Sequence, residues 1–226
     1  MAFLQSQPPR EPFLHAPAIV LWLIAAFVLI HLATIVAPGT FTDQVLIRYA
    51  FVPARYARGA TPFELTVPLV SHMFLHGGFL HLFVNCLWFL AFGPIVARRY
   101  GTAMFLLFFF ACGIAGALTY LAFNWGSPEA VIGASGGISG LMAAGIRMLR
   151  WPNVTPWHRL APILSKPVLM FSGFWVVTNI VLGIIGFGAG QQLDQVAWQA
   201  HLGGFLCGLL LISAVELFHV RQAAAE

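Results

Sequence analysis

Charged residues are scarce in this chain of 226 amino acids. Asp, Glu, Lys and Arg make up 8% of it, whereas a soluble domain carries roughly a quarter. So little polar surface cannot cover a water-exposed globule, which excludes a soluble globular protein. The formal net charge of +4 comes from basic residues scattered around apolar segments. They are not gathered on one face with aromatic residues between them, so nucleic-acid binding is also excluded.

Cysteine is scarce as well. Cys86, Cys112 and Cys207 lie inside apolar runs and have no CxxC spacing. This pattern is typical of small apolar core residues and indicates neither a disulfide framework nor a metal site.

Metal-binding patterns are incomplete in the histidine-containing stretch. His72 and His76 have the i, i+4 spacing of two zinc ligands on one helix face, and His81 follows. However, no glutamate completes an HExxH motif, and no acidic ligand is near. We therefore expect no metal and no cofactor. We interpret His31 as a satisfied interior histidine and expect His76 to make a structural hydrogen bond in its loop.

Apolar residues, by contrast, make up 60% of the chain, and the mean hydropathy is +0.87. These values predict an all-α membrane protein, a bundle of six transmembrane helices. Segments of the required length cross about 30 Å of hydrocarbon at about 1.5 Å per residue. The first is too long, and too weakly marked by a cleavage site, for a removable signal peptide. The six predicted spans are residues 18–37, 79–96, 103–123, 135 to 147 or 150, 167–187 and 196–215.

The remaining segments divide the chain into a transmembrane domain, residues 17–218, between polar tails at residues 1–16 and 219–226. Residues 39–78 mix arginines, aromatic residues and prolines, a composition typical of an amphipathic segment at the membrane interface. A hydrophilic cavity must admit water to any buried site, and residues 39–78 and 186–195 are the candidate walls or gates.

Basic residues predict the orientation. An even number of spans places both tails on one side, and the positive-inside rule makes that side cytoplasmic. The tails' side would hold Arg10, Arg98, Arg99, Arg147, Arg150, Arg159, Lys166 and Arg221, and the other side Arg48, Arg55 and Arg58.

Polar side chains recur at the beginning of spans two, four and six. His81 and Asn85 begin span two, Ser135 begins span four and His201 begins span six. These spans run in one direction, so their first turns lie at similar depth. A polar group in hydrocarbon costs several kcal/mol unless it is paired, and it indicates a functional site by default. A transporter would instead need polar groups through the full thickness, and often an internal repeat.

Small residues recur every fourth position in spans four and six, and each series predicts a helix face that another backbone can approach closely. Ser135 and His201 lie next to the first member of each series. Packing the two faces together would therefore bring hydroxyl and imidazole within the reach of a nucleophile and its general base. The two series are Gly136, Gly140, Ala144 and Ala200, Gly204, Gly208.

This arrangement predicts a serine nucleophile, Ser135, with His201 as its base. Asn85, His81 and the backbone N–H of Ser135 are the candidate donors to an oxyanion. The structural alternatives are that Ser135 only packs against a neighbouring helix and that the Asn85 amide only hydrogen-bonds one helix to another.

No carboxylate is placed to orient the histidine, because Asp194 and Glu129 lie in loops, so a dyad is favoured over a triad. Among the odd-numbered spans, polar groups are fewer, chiefly His31 and Asn179. Ser139 is a less suitable nucleophile than Ser135, since it lies one turn deeper.

Three motifs lie on alternate spans in this order: His81-Leu-Phe-Val-Asn85, Gly133-Ala134-Ser135-Gly136 and Ala200-His201-Leu-Gly-Gly204. They resemble the HxxxN, GxSG and AHxxG motifs of the rhomboid intramembrane serine proteases. The segment Phe74-Leu75-His76-Gly77-Gly78 resembles the family's FLHG approach to span two. The resemblance covers roughly residues 60–210.

The resemblance implies that Ser135 is the nucleophile, His201 the base, and His81 and Asn85 the oxyanion donors. It also implies cleavage of transmembrane protein substrates near the outer end of their helices, in the lipid bilayer, without metal or cofactor. The expected setting is a multi-pass protein of a bacterial inner membrane. The alternative is a non-proteolytic rhomboid-like chaperone that holds client helices.

Two departures from the family pattern stand out. The Trp-Arg pair that many members have in the first loop is absent, with Val67-Pro68 in its place. Ser139 occupies a position where members often have an aromatic residue under the catalytic histidine. Both the loop and the histidine must therefore be supported differently.

Overall fold

The computed structural model describes residues 16–149, 160–185 and 197–223. Within these ranges the secondary structure is helical, and the β-type pairing is an isolated antiparallel bridge between Phe51 and Val131. The prediction of a helical protein is confirmed. The predicted gate at residues 186–195 lies outside the described residues.

Helices α1, α7 and α8 begin and end within about two residues of the predicted spans, whereas α9 continues past its predicted end at residue 215 to Ala223. Pro17 directly precedes the first helix, where its fixed φ and missing N–H are tolerated. The helices are α1 (Ala18–Val36), α2 (Gly39–Tyr49), α3 (Ala54–Ala57), α4 (Pro62–Thr66), α5 (Pro68–Ser71), α6 (Phe79–Phe123), α7 (Ser135–Met148), α8 (Lys166–Ile185) and α9 (Trp198–Ala223), with a 3₁₀ turn at His72–Phe74 between α5 and α6.

Within the described ranges, four helices are long and apolar enough to cross a membrane: α1, α6, α8 and α9. This differs from the six predicted spans for two reasons. Helix α7 has only 14 residues. Predicted spans two and three fall within the one element α6, which consists of two helices joined across a kink.

Helix α6 breaks its regular geometry at Gly101, where φ is 77° and ψ is 171°. Glycine accepts this backbone conformation because it has no Cβ. Residues 79–100 and 102–123 are thus two limbs on either side of Gly101, and each limb is long enough for one crossing of about 30 Å.

Short helices organise residues 39–78, the segment predicted to lie at the interface. At the start of α4, Thr61 and Glu64 form a capping box, in which each side chain bonds the backbone N–H of the other. The Ser71 hydroxyl donates to the Tyr49 carbonyl at 2.8 Å and joins α5 to α2. These hydrogen bonds stabilise the start of α4 and hold α5 against α2.

Helices α6, α7 and α9 form the core of the protein. Residues 136–147 of α7 are all buried. Gly204 lies against the carbonyl of Gly136, and Gly208 lies against the carbonyl of Gly140, with no room for a Cβ at either position of α9. The predicted contact between the two small-residue faces is confirmed.

Polar bonds join α7 and α9 at the end of the bundle farthest from Ser135. The buried guanidinium of Arg147 donates to the carbonyls of Ala161 and Leu209, at 3.0 and 2.7 Å, and to the Ser213 hydroxyl at 2.6 Å. Its hydrogen bonds compensate for the burial of a permanent charge.

A second polar cluster joins α6 to α9 at the same end. Arg99 contacts both carboxylate oxygens of Glu216, at 3.2 and 2.6 Å. The Tyr100 hydroxyl donates to Glu216 at 2.6 Å. Such a bidentate, charge-assisted arrangement is among the stronger polar contacts available.

Candidate active site

The four predicted site residues all lie in the first turns of their helices. Ser135 is the first residue of α7, His201 lies in the first turn of α9, and His81 and Asn85 lie in the first two turns of α6. Asn85 is buried, whereas the other three side chains are partly exposed. The site is therefore built from the beginnings of three helices that pack against one another.

His81 and Ser135 share the space beside Gly133. A Cβ at Gly133 would lie 2.7 Å from His81 Nε2 and 3.7 Å from Ser135 Oγ. Gly133 also has a φ of 118°, which strongly favours glycine. The backbone N–H of Gly77 points at His81 Nδ1, 3.4 Å away. An accepting Nδ1 leaves the ring hydrogen on Nε2, the atom that lies beside Gly133.

The α7–α9 contact brings Ser135 and His201 to the same level. Their chain neighbours Gly136 and Ala200 touch, since the Ala200 carbonyl oxygen is 3.5 Å from the Cβ position of Gly136. The same oxygen lies 2.6 Å from the Cβ position of Gly116 in α6, so three backbones meet here.

His201 makes its side-chain hydrogen bond to a residue that sequence reasoning did not assign to the site. His201 Nδ1 lies 2.8 Å from Asn179 Oδ1 in α8. The only sequence signal was an amide in the middle of a charge-free span. The α7–α9 contact thus relates the two residues of the predicted dyad, and the polar partner of the His201 side chain is Asn179.

Asn85 is almost fully buried, with 4% of its surface exposed. Its Nδ2 donates to the His81 carbonyl at 2.9 Å. Its Oδ1 has no hydrogen-bond partner among the described residues. One Nδ2 hydrogen suffices for the bond to His81, and the amide has a second.

Ser139, one turn after Ser135, is buried, and its hydroxyl donates to the Ser135 carbonyl at 2.7 Å. The Ser139 hydroxyl therefore makes its hydrogen bond within α7. On the α8 side of α9, Trp175 stacks on Phe205, with ring centroids 4.3 Å apart. This aromatic pair joins α8 to α9.

Two further histidines depart from prediction. His31 and His76 are buried, but their ring nitrogens have no hydrogen-bond partner among the described residues. Each was expected to be hydrogen-bonded. Instead the two rings pack edge to face against each other. The His31 ring also packs against Phe79, and the His76 ring against His81. Burial of the imidazole lowers the pKa of His76 to about 3, and repulsion from His81 and His31 contributes.

His72 is held differently, with Nδ1 2.7 Å from the Pro68 carbonyl. Burial lowers its pKa to about 4. No cluster of three or more metal-ligating side chains occurs within the part of the chain that the structure describes.

The fold and the site define a multi-pass helical membrane protein with a serine, two histidines and an asparagine at the beginnings of its core helices. The family model of the rhomboid domain matches residues 64–216. The chain therefore belongs to the rhomboid family.

Individual relatives carry protease names. The chain is 26% identical over 196 residues to rhomboid-like protease 3 of Toxoplasma gondii, covering 85% of this chain and 67% of the relative. It is 30% identical over 149 residues to the rhomboid protease GluP of Bacillus subtilis, covering 66% of this chain and 26% of the relative. Inactive rhomboid protein 1 of Drosophila melanogaster is 27% identical over 150 residues, covering 66% of this chain and 10% of the relative. The chain thus spans only part of these relatives.

Proposed function

We propose that this protein is a rhomboid-type intramembrane serine endopeptidase that cleaves transmembrane segments of membrane proteins. The observation that carries the proposal is that Ser135 Oγ and His81 Nε2 both lie within 4 Å of the Cβ position of Gly133. The contact between Gly136 and Ala200 adds support, because it holds Ser135 and His201 at one level.

In the proposed reaction, Ser135 Oγ attacks the carbonyl carbon of the scissile peptide bond while His201 Nε2 takes the hydroxyl proton. The C–N bond then breaks, and His201 returns the proton to the leaving amine. Water attacks the resulting ester in the same way and releases the acid. The chemistry requires no metal or cofactor.

The oxyanion formed in each step needs donors. His81 Nε2–H and the Ser135 hydroxyl lie on the same side of Gly133 as candidate neighbours, Asn85 offers its second amide hydrogen, and the backbone N–H of Ser135 lies at the N-terminus of α7. The helix dipole at that end also favours a negative charge. Donors that are fixed before the reaction act without a reorganisation cost.

The proposed topology has six crossings, with the two limbs of α6 as the second and third and α7 as the fourth. Both termini face the cytoplasm of a bacterial inner membrane, as the distribution of basic residues predicts. Residues 39–78 form one wall of a water-filled cavity above the site, and substrate helices enter from the bilayer.

The test is cleavage of a model transmembrane substrate in proteoliposomes, together with labelling by a fluorophosphonate. Ser135→Ala should abolish both cleavage and labelling, and His201→Ala should abolish cleavage. Ser139→Ala is the matched control, one turn along the same helix, and should keep both. Cleavage that persists in Ser135→Ala or His201→Ala would refute the assignment.

The second candidate function is a non-proteolytic client-binding protein. It is favoured by the similarity to the inactive rhomboid protein 1 of Drosophila melanogaster. The fluorophosphonate discriminates between the two functions, because it labels an activated serine and leaves a passive packing serine unlabelled.

A further inference from the structure

Helices α8 and α9 meet in three successive contacts, one helical turn apart. The contacts follow opposite chain directions in the two helices. Trp175 stacks on Phe205 at one end. At the other end, the Cβ position of Gly183 lies 2.8 Å from Trp198 Cγ. Asn179 and His201 form the middle contact, the only one of the three that is polar. The apolar contacts on both sides fix the register that places the amide on the imidazole.

The orientation of the Asn179 amide is fixed by a second bond. Its Nδ2 donates to the Trp175 carbonyl, one turn earlier in α8, at 2.9 Å. Its Oδ1 therefore faces His201 Nδ1, and an amide oxygen can only accept a hydrogen bond. It follows that His201 carries its ring hydrogen on Nδ1. The lone pair of the neutral ring is then on Nε2, the atom a serine base must use.

We propose that Asn179 is a positioning residue that holds His201 in the Nδ1–H tautomer and fixes the orientation of its ring. This rests on the proposed protease function. Asn179 does not touch the reacting atoms and acts through His201. It takes the structural place of the third member of a triad, as in the Cys-His-Asn arrangement on other folds. An amide serves this role in a membrane without the cost of a buried charge.

Ser139 explains why such support is needed from α8. Its short side chain is bonded to the Ser135 carbonyl and supplies no ring beneath the histidine. With Asn179 in place, the imidazole is held laterally by α8. The titratable side chain at the start of the neighbouring core helix α6 is His81. Asn179 therefore provides the direct polar contact that favours the productive orientation.

The kinetic test compares Asn179→Leu, Asn179→Asp and Ser172→Ala. Leucine has a similar size but no acceptor, so kcat should fall about 10- to 100-fold with KM unchanged. Aspartate restores the acceptor, so kcat should recover most of the loss seen in Asn179→Leu. Its charge stabilises the imidazolium, so the acid limb of the kcat–pH profile should move to higher pH. A raised KM at unchanged kcat in Asn179→Leu, or an unmoved pH profile in Asn179→Asp, would overturn the proposal.

Ser172→Ala is the matched control for α8. The Ser172 hydroxyl is buried in the same helix and has no hydrogen-bond partner among the described residues. Its removal should leave kcat and KM unchanged. A loss equal to that of Asn179→Leu would mean that any polar change in α8 is harmful, and this also would overturn the proposal.

A second readout does not depend on activity. Nitrogen-15 NMR of histidine-labelled Ser135→Ala protein reports which His201 nitrogen carries the hydrogen. We expect the Nδ1–H form in this protein and a shift towards Nε2–H when Asn179→Leu is added. An Nε2–H tautomer before that change would overturn the positioning role even if the protein is a protease. The expected tautomer in a parent chain that cleaves no substrate would instead reject the protease function alone.

Discussion

Gly204 of α9 lies directly against the carbonyl of Gly136 in α7, so closely that a Cβ at position 204 would overlap it. The overlapped atoms belong to a backbone and cannot move aside as a flexible side chain would. Ser135 precedes Gly136, and His201 lies one turn before Gly204. The separation of the proposed nucleophile and base is thus set by contact between two backbones.

Gly204→Ala should therefore destabilise the protein by about 3 kcal/mol, the upper part of the range for overpacking a filled core. It should also reduce cleavage at temperatures where the protein stays folded, because α7 and α9 are pushed apart. Thermal unfolding in detergent and the cleavage rate measure the two effects.

The control is Gly173→Ala in α8, where a Cβ would meet nothing within 4 Å. This change should stabilise the helix slightly, by about 1 kcal/mol or less. Equal effects of the two substitutions would show that close packing at Gly204 is not the cause.

Asn85→Ala tests the proposed oxyanion donor. Loss of one such donor typically lowers kcat by about 100- to 1000-fold. We expect this loss with little change in KM, measured on a fluorogenic transmembrane peptide in proteoliposomes.

Asn124 offers a matched control at the other end of α6. Its Nδ2 donates to the carbonyl four residues earlier, that of Tyr120, at 3.0 Å, as Asn85 Nδ2 does to His81. Asn124→Ala should keep kcat near the parent value. If Asn85→Ala also keeps it, Asn85 only joins helix turns.

His76 predicts sensitivity of the fold to acid. Its pKa is about 3 in the folded protein and near the ordinary 6.5 when unfolded. Between these values the unfolded chain binds more protons, so stability falls as the pH drops from about 6.5 towards 3 and is fully present above 6.5. The unfolding temperature in detergent should therefore decline across this window.

His76→Leu should flatten that decline, because leucine does not titrate. Substitution of the exposed His219 by glutamine is the control and should leave the slope as it is. An unchanged slope in His76→Leu would assign the acid sensitivity to other groups, with the buried His72 the first to examine.

Gly101→Ala tests the break in α6. Nothing lies within 4 Å of a Cβ at this position, so the cost is backbone strain alone. A side chain at this φ and ψ should cost about 1–3 kcal/mol. Gly39→Ala, in equally open space but without a positive φ, should change the unfolding temperature little. A neutral Gly101→Ala would mean that the limbs can join in another geometry.

Local patterns in the sequence predicted most of the fold. The prolines and the apolar stretches marked helix boundaries, and the four-residue spacing of small residues predicted the contact of Gly136 with Gly204. The boundary between spans two and three was predicted at Arg98, Arg99 and Gly101, and the structure has a kink at Gly101. The two limbs of α6 meet at this residue without an intervening loop.

Contacts that depend on register between distant helices were beyond sequence reasoning. Asn179 meets His201 only because Trp175 and Gly183 pack against α9 on either side of it. Likewise, no sequence pattern indicates that His31 and His76 face aromatic rings instead of hydrogen-bond partners. Spacing along one helix is visible in the sequence, whereas the relative position of α8 and α9 emerges only when the side chains pack.

The clusters around Arg147 and Glu216 have a mechanical consequence for the helix pair at the centre of the protein. Hydrogen bonds of Arg147 join α7 to α9 at one end, and Glu216 joins α9 to α6 at the same end, whereas close glycine contacts hold α7 and α9 together towards the other end. If thermal motion separates α7 from α9, we expect the separation to be larger at the end without these bonds. That end lies beside Ser135, where a substrate strand and a hydrolytic water would have to enter.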